Sequence, residues 1–103
     1  MFVYKLLHAD EWASFDHSGG FAGSAADLRD GFIHMSTGAQ VAGTFIKYFS
    51  GVEVMLVTLD ADRLGVDLRW EASRGGGLFP HLYRPLVRAD VVAVRPFQPG
   101  APV

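Results

Sequence analysis

The chain reads Ala39-Gln40-Val41-Ala42-Gly43-Thr44-Phe45-Ile46-Lys47-Tyr48-Phe49, then Ser50-Gly51, then Val52-Glu53-Val54-Met55-Leu56-Val57-Thr58-Leu59, and this stretch decides the fold class. Val41, Phe45 and Tyr48 follow the i, i+4, i+7 spacing of a helical stripe, which Ile46 and Phe49 widen. Ser36 or Thr37 is expected to cap this helix, and Ser50-Gly51 to stop it. Val52 to Leu59 is apolar on both faces apart from Glu53, which predicts a central strand. Outward from there, Phe2 to Leu7 reads as a first strand. A short helix capped by Asp10 or a neighbour runs through Trp12, Phe15 and Asp16 until Ser18-Gly19-Gly20 breaks it. Ser24 is the N-cap of a further turn, with Asp27 a weaker reciprocal partner than Glu or Gln. Asp30-Gly31 turns the chain into a strand over Phe32 to Ser36. Val66 to Glu71, Leu78 to Leu86 (interrupted by Pro80 and Pro85) and Asp90 to Pro96 complete the extended segments. Strands outnumber helices without regular alternation. The expectation is α+β: a small mixed or antiparallel split sheet of about five to six strands, one main helix and one or two short ones.

The 103 residues predict a single domain over 1–97, with a frayed proline-rich tail over 98–103. Half of them are hydrophobic, which excludes intrinsic disorder. A net charge of −2 lacks the basic footprint of a general nucleic-acid binder. With no cysteine there is no disulfide framework, thiol nucleophile or thiolate metal site. Met1 to His8 is too short and interrupted for a signal sequence, and no apolar run reaches the roughly 18 to 20 residues that span a bilayer. A cytoplasmic protein with no membrane partner is expected.

Strand alternation places i and i+2 on one face. Phe32, His34 and Ser36 then share a face, as do Asp67, Arg69 and Glu71. His81 and Tyr83 share another, opposite Leu82, Arg84 and Leu86. If these faces converge, they form a cleft with two imidazoles, a guanidinium, a carboxylate, a phenol and a hydroxyl. The bland alternatives are an exposed Arg69–Glu71 pair, core histidines satisfied by the backbone, and a half-buried Tyr83. The four histidines, His8, His17, His34 and His81, have no ligand spacing, so no metal is expected. Ser73-Arg74-Gly75-Gly76-Gly77 reads as a mobile hairpin loop rather than a phosphate cradle.

Asp27 through Thr37 with Gln40, then Leu68-Arg69-Trp70-Glu71, then Leu78-Phe79-Pro80-His81-Leu82-Tyr83, resemble the signature blocks of a bacterial family of domains of unknown function, number 952. The likeness runs from Tyr4 and Lys5 through Trp12 to Val94 and Pro96. Arg84 departs from it, standing where the family usually has glycine after the tyrosine. The family is distantly similar to the ADP-ribosyltransferase fold, a split sheet that clamps NAD. The resemblance implies NAD or a nucleotide-like metabolite as the small-molecule ligand. His34, Ser36, Gln40, Arg69 and Tyr83 would bind it, and Glu71 and His81 would be the catalytic groups of ADP-ribose transfer or hydrolysis. Glu71 precedes Tyr83 here, whereas the superfamily's glutamate follows the aromatic strand. The other readings are a non-catalytic ligand-binding module and an interaction domain with structural histidines.

Overall fold

In the computed structural model, which describes residues 1–73 and 75–103, the chain folds as α+β. Its elements are β1 (Phe2–His8), α1 (Ala9–Ser18), β2 (Gly20–Phe21), α2 (Ala25–Asp30), β3 (Ile33–His34), α3 (Val41–Tyr48), β4 (Val54–Asp60), α4 (Ala61–Leu64), β5 (Leu68–Ala72), β6 (Leu78–Leu82), β7 (Leu86–Val87) and β8 (Val91–Pro96). Single 3-10 turns at Gly65–Asp67 and Arg88–Asp90 precede β5 and β8. The strands form three small antiparallel ladders, β1-β4-β8, β3-β6-β5 and β2-β7. The two larger ladders join at one place, where Tyr4 and Ser36 exchange backbone hydrogen bonds of 2.8 and 2.9 Å.

β4 is the middle strand of its ladder, as its two apolar faces require. Leu56 and Val54 point to one side, where Leu6, Val41 and Phe97 are buried and Tyr4, Phe45 and Phe49 pack against them. Val57 and Leu59 point to the other, into the main core with Val3, Leu7, Phe15, Ile33, Met35, Leu82 and Leu86. Each of these side chains contributes on the order of 1.5–3 kcal/mol by leaving water. The helical stripe is narrower than its sequence implies. Val41, Phe45 and Phe49 face the sheet, whereas Ile46 and Tyr48 are exposed on a helix that covers one small ladder. Neither Ser36 nor Thr37 caps α3. The Ser36 hydroxyl is 3.0 Å from that of Thr44, and Gln40 fills the cap position, its Oε1 accepting from the Thr37 N–H at 3.0 Å.

Five extended segments are shorter than expected: Phe32–Ser36 reduces to β3 and Val52–Leu59 starts only at Val54, while the other three differences have local causes. Asp67 belongs to a 3-10 turn, where its carbonyl accepts from the Tyr83 N–H at 2.8 Å, so it leaves the face of Arg69 and Glu71. Pro85 lacks an N–H for a ladder, so the Leu78–Leu86 segment bends at Tyr83–Arg84 and separates β6 from β7. At that bend Arg84 leaves the side occupied by Leu82 and Leu86 to form a two-pronged ion pair with Asp90, at 2.8 and 3.1 Å. Asp90 itself lies in a turn, and β8 begins after it. Ser73 and Gly77 close the hairpin between β5 and β6 with a 3.0 Å bond; the expectation for Arg74 lies outside the described residues.

The first helix begins earlier than expected, with His8 at the N-cap and Asp10 inside its first turn, whereas the second starts at Ser24 as its sequence implies. Glu11 accepts the His8 N–H at 2.9 Å at the start of α1, and Gly19, at φ 84°, ends it in the left-handed region. In α2 the Ser24–Asp27 box is complete in both directions, at 2.9 and 3.4 Å. Asp27 is nonetheless buried, because its carboxylate also receives Lys5. Lys5 shares a face of β1 with Val3 and Leu7, so it carries a charge into the main core. Its Nζ lies 3.1 and 3.0 Å from the two Asp27 oxygens and 2.8 Å from the His34 carbonyl.

Burial pushes the Asp27 carboxyl up. The His34 ring, the Lys5 charge and the backbone N–H groups of Ser24 and His34 outweigh it and hold Asp27 well below the usual carboxylate range. Burial also pushes Lys5 below its ordinary value, with Asp27 opposing. A depressed carboxylate stabilises the fold fully above its unfolded value of about 4 and loses that contribution as pH falls below it. Asp27→Ala strands a buried ammonium, so chemical denaturation is expected to show a loss of about 3–5 kcal/mol. Lys5→Met is expected to cost less, because the carboxylate retains His34 and two backbone donors. The acid limb of wild-type stability should flatten in Asp27→Ala.

Candidate functional site

Three of the expected site residues form one row across the second ladder. Arg69 on β5 pairs directly with His81 on β6, and His81 pairs directly with His34 on β3. Directly paired residues project to the same face. Glu71 lies two residues after Arg69 on β5 and Tyr83 two residues after His81, just past the end of β6, so on these antiparallel strands they flank the row from opposite sides. The Glu71 Oε1 atom lies 2.9 Å from His81 Nδ1 and accepts the Tyr83 hydroxyl at 2.6 Å. The Arg69 guanidinium sits 4.8 Å from the centre of the Tyr83 ring. Five of the seven candidates therefore meet: His34, Arg69, Glu71, His81 and Tyr83.

Phe32 is the floor that joins them. Its ring stacks on His81 at 4.0 Å between centroids and approaches His34 at 4.5 Å and Tyr83 at 5.4 Å. The two imidazoles stand edge to face, 5.6 Å apart. The alternation that put Ile33 and Met35 into the core thus delivers Phe32 and His34 to the site. Phe32 and Tyr83 also border an open groove of about 250 Å³ with Leu28, Ile33, Arg84 and Pro85. Arg84 forms part of that rim but is neutralised by Asp90.

Ser36 and Gln40 stand apart from this cluster. Ser36 is buried at the seam between the ladders and bonded to Thr44. Gln40 Nε2 donates to the Leu78 carbonyl at 2.7 Å and so ties α3 to the start of β6. Both hold strands in place.

Each histidine is oriented by a carboxylate through Nδ1. His81 uses Glu71; His34 uses Asp27 at 2.6 Å, and its Nε2 lies 3.0 Å from Asp30. A neutral imidazole that donates from Nδ1 keeps its lone pair on Nε2. His81 is buried, only 7% exposed, and among the described residues its Nε2 has no hydrogen-bond partner, so that atom is left free to bond a molecule that reaches this face. This is the arrangement of a base that can take a proton from a bound molecule. Hydrogen bonds from Tyr83 and from His81 hold the Glu71 carboxyl below its ordinary value, and the same carboxylate pushes the Tyr83 phenol up.

Phe32 lies on the face of His34 that alternation assigns to it, whereas Asp27, Asp30 and Lys5 adjoin the cluster and escape a search for titratable pairs on strand faces. Their signals were a lone lysine inside the apolar Phe2–Leu7 run and two aspartates three apart just before a glycine turn into His34.

The chain belongs to the family described as "Protein of unknown function (DUF952)", whose model matches residues 6–94. The chain is similar to the protein CC0527 from Caulobacter crescentus. The X-ray structure of that protein is 45% identical with a TM-score of 0.89, covering 100% of this chain and 94% of that one. A doubly substituted form is 44% identical at the same TM-score and coverage. The solution NMR structure is 47% identical with a TM-score of 0.80, over 91% of this chain and 82% of that one. No curated protein matches the chain. Among the described residues, no helix is long and apolar enough to cross a membrane.

The Tyr83–Glu71 bond is directly measurable. Alkaline titration of tyrosinate absorbance should resolve one of the three tyrosines above the ordinary value of about 10. Glu71→Gln should bring that component back down. Identical curves for the two proteins would contradict the bond.

Proposed function

We propose that this chain binds a nucleotide-like ligand, NAD foremost, on the open histidine face and transfers or hydrolyses its ADP-ribose. One observation carries the reading: Glu71 accepts both His81 Nδ1 and Tyr83 through Oε1, which leaves Oε2 to meet a ligand beside Arg69 and the two imidazoles. The family resemblance, and the seam at Tyr4 and Ser36 between two antiparallel ladders, support it further.

In this reaction the bond from the ribose C1′ to the nicotinamide nitrogen breaks, and its electron pair returns to the pyridine ring. C1′ gains oxocarbenium character, which the Glu71 carboxylate stabilises. A water, or the hydroxyl or amine of an acceptor, attacks C1′ and passes its proton to His81 Nε2. Tyr83 fixes the Glu71 rotamer, and Arg69 meets the pyrophosphate.

Incubation with NAD should release free nicotinamide. Glu71→Gln should lower that rate by about 10²–10³-fold while leaving NAD-induced thermal stabilisation in place. Stabilisation by NAD without nicotinamide release would reduce the chain to a binding module. Neither effect at millimolar NAD would overturn the proposal.

A further inference from the structure

His34 is fixed more tightly than its half-exposed ring requires. Its N–H donates to Asp27 Oδ1 at 3.1 Å, its Nδ1 lies 2.6 Å from the same oxygen, and its carbonyl accepts from Lys5 at 2.8 Å. Asp27 and Lys5 are both buried, so the ring cannot turn without giving up its hydrogen bond to a buried carboxylate. The one ring nitrogen left facing outward is Nε2, and Asp30 Oδ2 covers it at 3.0 Å.

Asp30 has the opposite character. Its side chain is partly exposed, it ends the short helix α2, and Gly31, at φ 87°, turns the chain back so that its carboxylate meets His34. A carboxylate in the last turn of a helix is opposed by the helix dipole. Its other partner is the Arg29 guanidinium, at 3.0 and 3.4 Å, on a side chain that is 73% exposed. Exposed pairs of this kind contribute little and exchange easily for water. A rigid imidazole is thus covered by a weakly held anion.

Arg69 completes the picture. Among the described residues, no carboxylate lies within ion-pair distance of it; its guanidinium lies over the Tyr83 ring, and its charge acts at longer range on Glu71. The row Arg69, His81, His34 therefore presents a guanidinium without an ion-pair partner among the described residues, an unpartnered Nε2 on a buried ring and an Nε2 masked by the chain's own carboxylate.

We propose that Asp30 is an internal stand-in for a phosphate group of the ligand, and that the His34 Nε2 it covers is the phosphate subsite of this face. Binding swings Asp30 out toward Arg29 and places a phosphoryl oxygen on His34, with Arg69 at the other end of the row. The subsite rests on the reading that this face binds a nucleotide-like ligand, and within that reading it assigns His34 to a phosphate.

The test uses inorganic pyrophosphate, with acetate as the carboxylate control, followed by two-bond ¹H–¹⁵N correlation of the histidine rings. In the wild-type protein pyrophosphate should shift the His34 ring, while His8 and His17 stay put. Asp30→Ala should bind pyrophosphate about tenfold more tightly, because the competitor is gone, and acetate should gain far less. His34→Gln in the Asp30→Ala background should abolish the gain. Amide spectra of Asp30→Ala that match the wild type establish that the exposed substitution leaves the fold intact. Unchanged or weaker pyrophosphate binding in Asp30→Ala overturns the subsite, as does equal tightening for acetate. Tighter pyrophosphate binding with no nicotinamide release from NAD would keep the subsite and discard the transfer reaction. Nicotinamide release with no effect of Asp30→Ala would do the reverse.

Discussion

The carboxylate of Asp27 is the point on which the two halves of the molecule meet. It takes an ammonium from β1 in the first ladder and an imidazole and an N–H from β3 in the second, while its own N–H and carboxylate close the cap of α2. Among the described residues, the two larger ladders share only the Tyr4–Ser36 bridge in backbone terms. One buried anion therefore supplies much of the polar registration between them. Burying ions is costly, and such a cluster persists when each lone pair and proton has a partner, as it does here. The same carboxylate both secures the seam and aims a histidine at the surface.

This double use explains the uneven character of the site. His81 and Glu71 lie within one hairpin, on strands joined by a short turn, so their geometry follows from local pairing. His34 comes from a two-residue strand that could not hold a ring in place by pairing alone. It borrows rigidity from Lys5 and Asp27 in the core. The face thus combines a locally built carboxylate–imidazole pair with one set from below by the other ladder.

Much of this was legible in the sequence, and the failures are informative. The two apolar faces of Val52–Leu59 point to a central strand, which the structure starts at Val54, and period-two alternation brings His34, Arg69, Glu71, His81 and Tyr83 together. Alternation failed at Asp67 and Arg84, where a 3-10 turn and a proline bend interrupt the pleat. It misplaced Ser36, whose residue type suits a ligand equally well but whose strand neighbour is Tyr4 at the seam. The helical stripe was overread because Ile46 and Tyr48 have the residue types of a core without a layer to cover them. Asp27 looked like an imperfect capping residue. Its partners lie 22 residues earlier and 7 later, and no local pattern announces such a contact.

The register of β4 carries a consequence for how the molecule assembles. β4 pairs with β1 from Phe2↔Asp60 to His8↔Val54, and with β8 from Met55↔Pro96 onward. Both pairings close long loops, whose entropy must be lost before the contacts reward it. The β5–β6 hairpin, by contrast, is local. The β1–β4 pair and the β5–β6 hairpin both precede β8 in the chain, and β8 adds only to the far edge of β4. Lys5 pairs with Val57 of β4 and so reaches its place under His34 without any residue of β8. A chain truncated within β8 would expose the outer edge of β4 and leave the polar supports of both histidines in the chain.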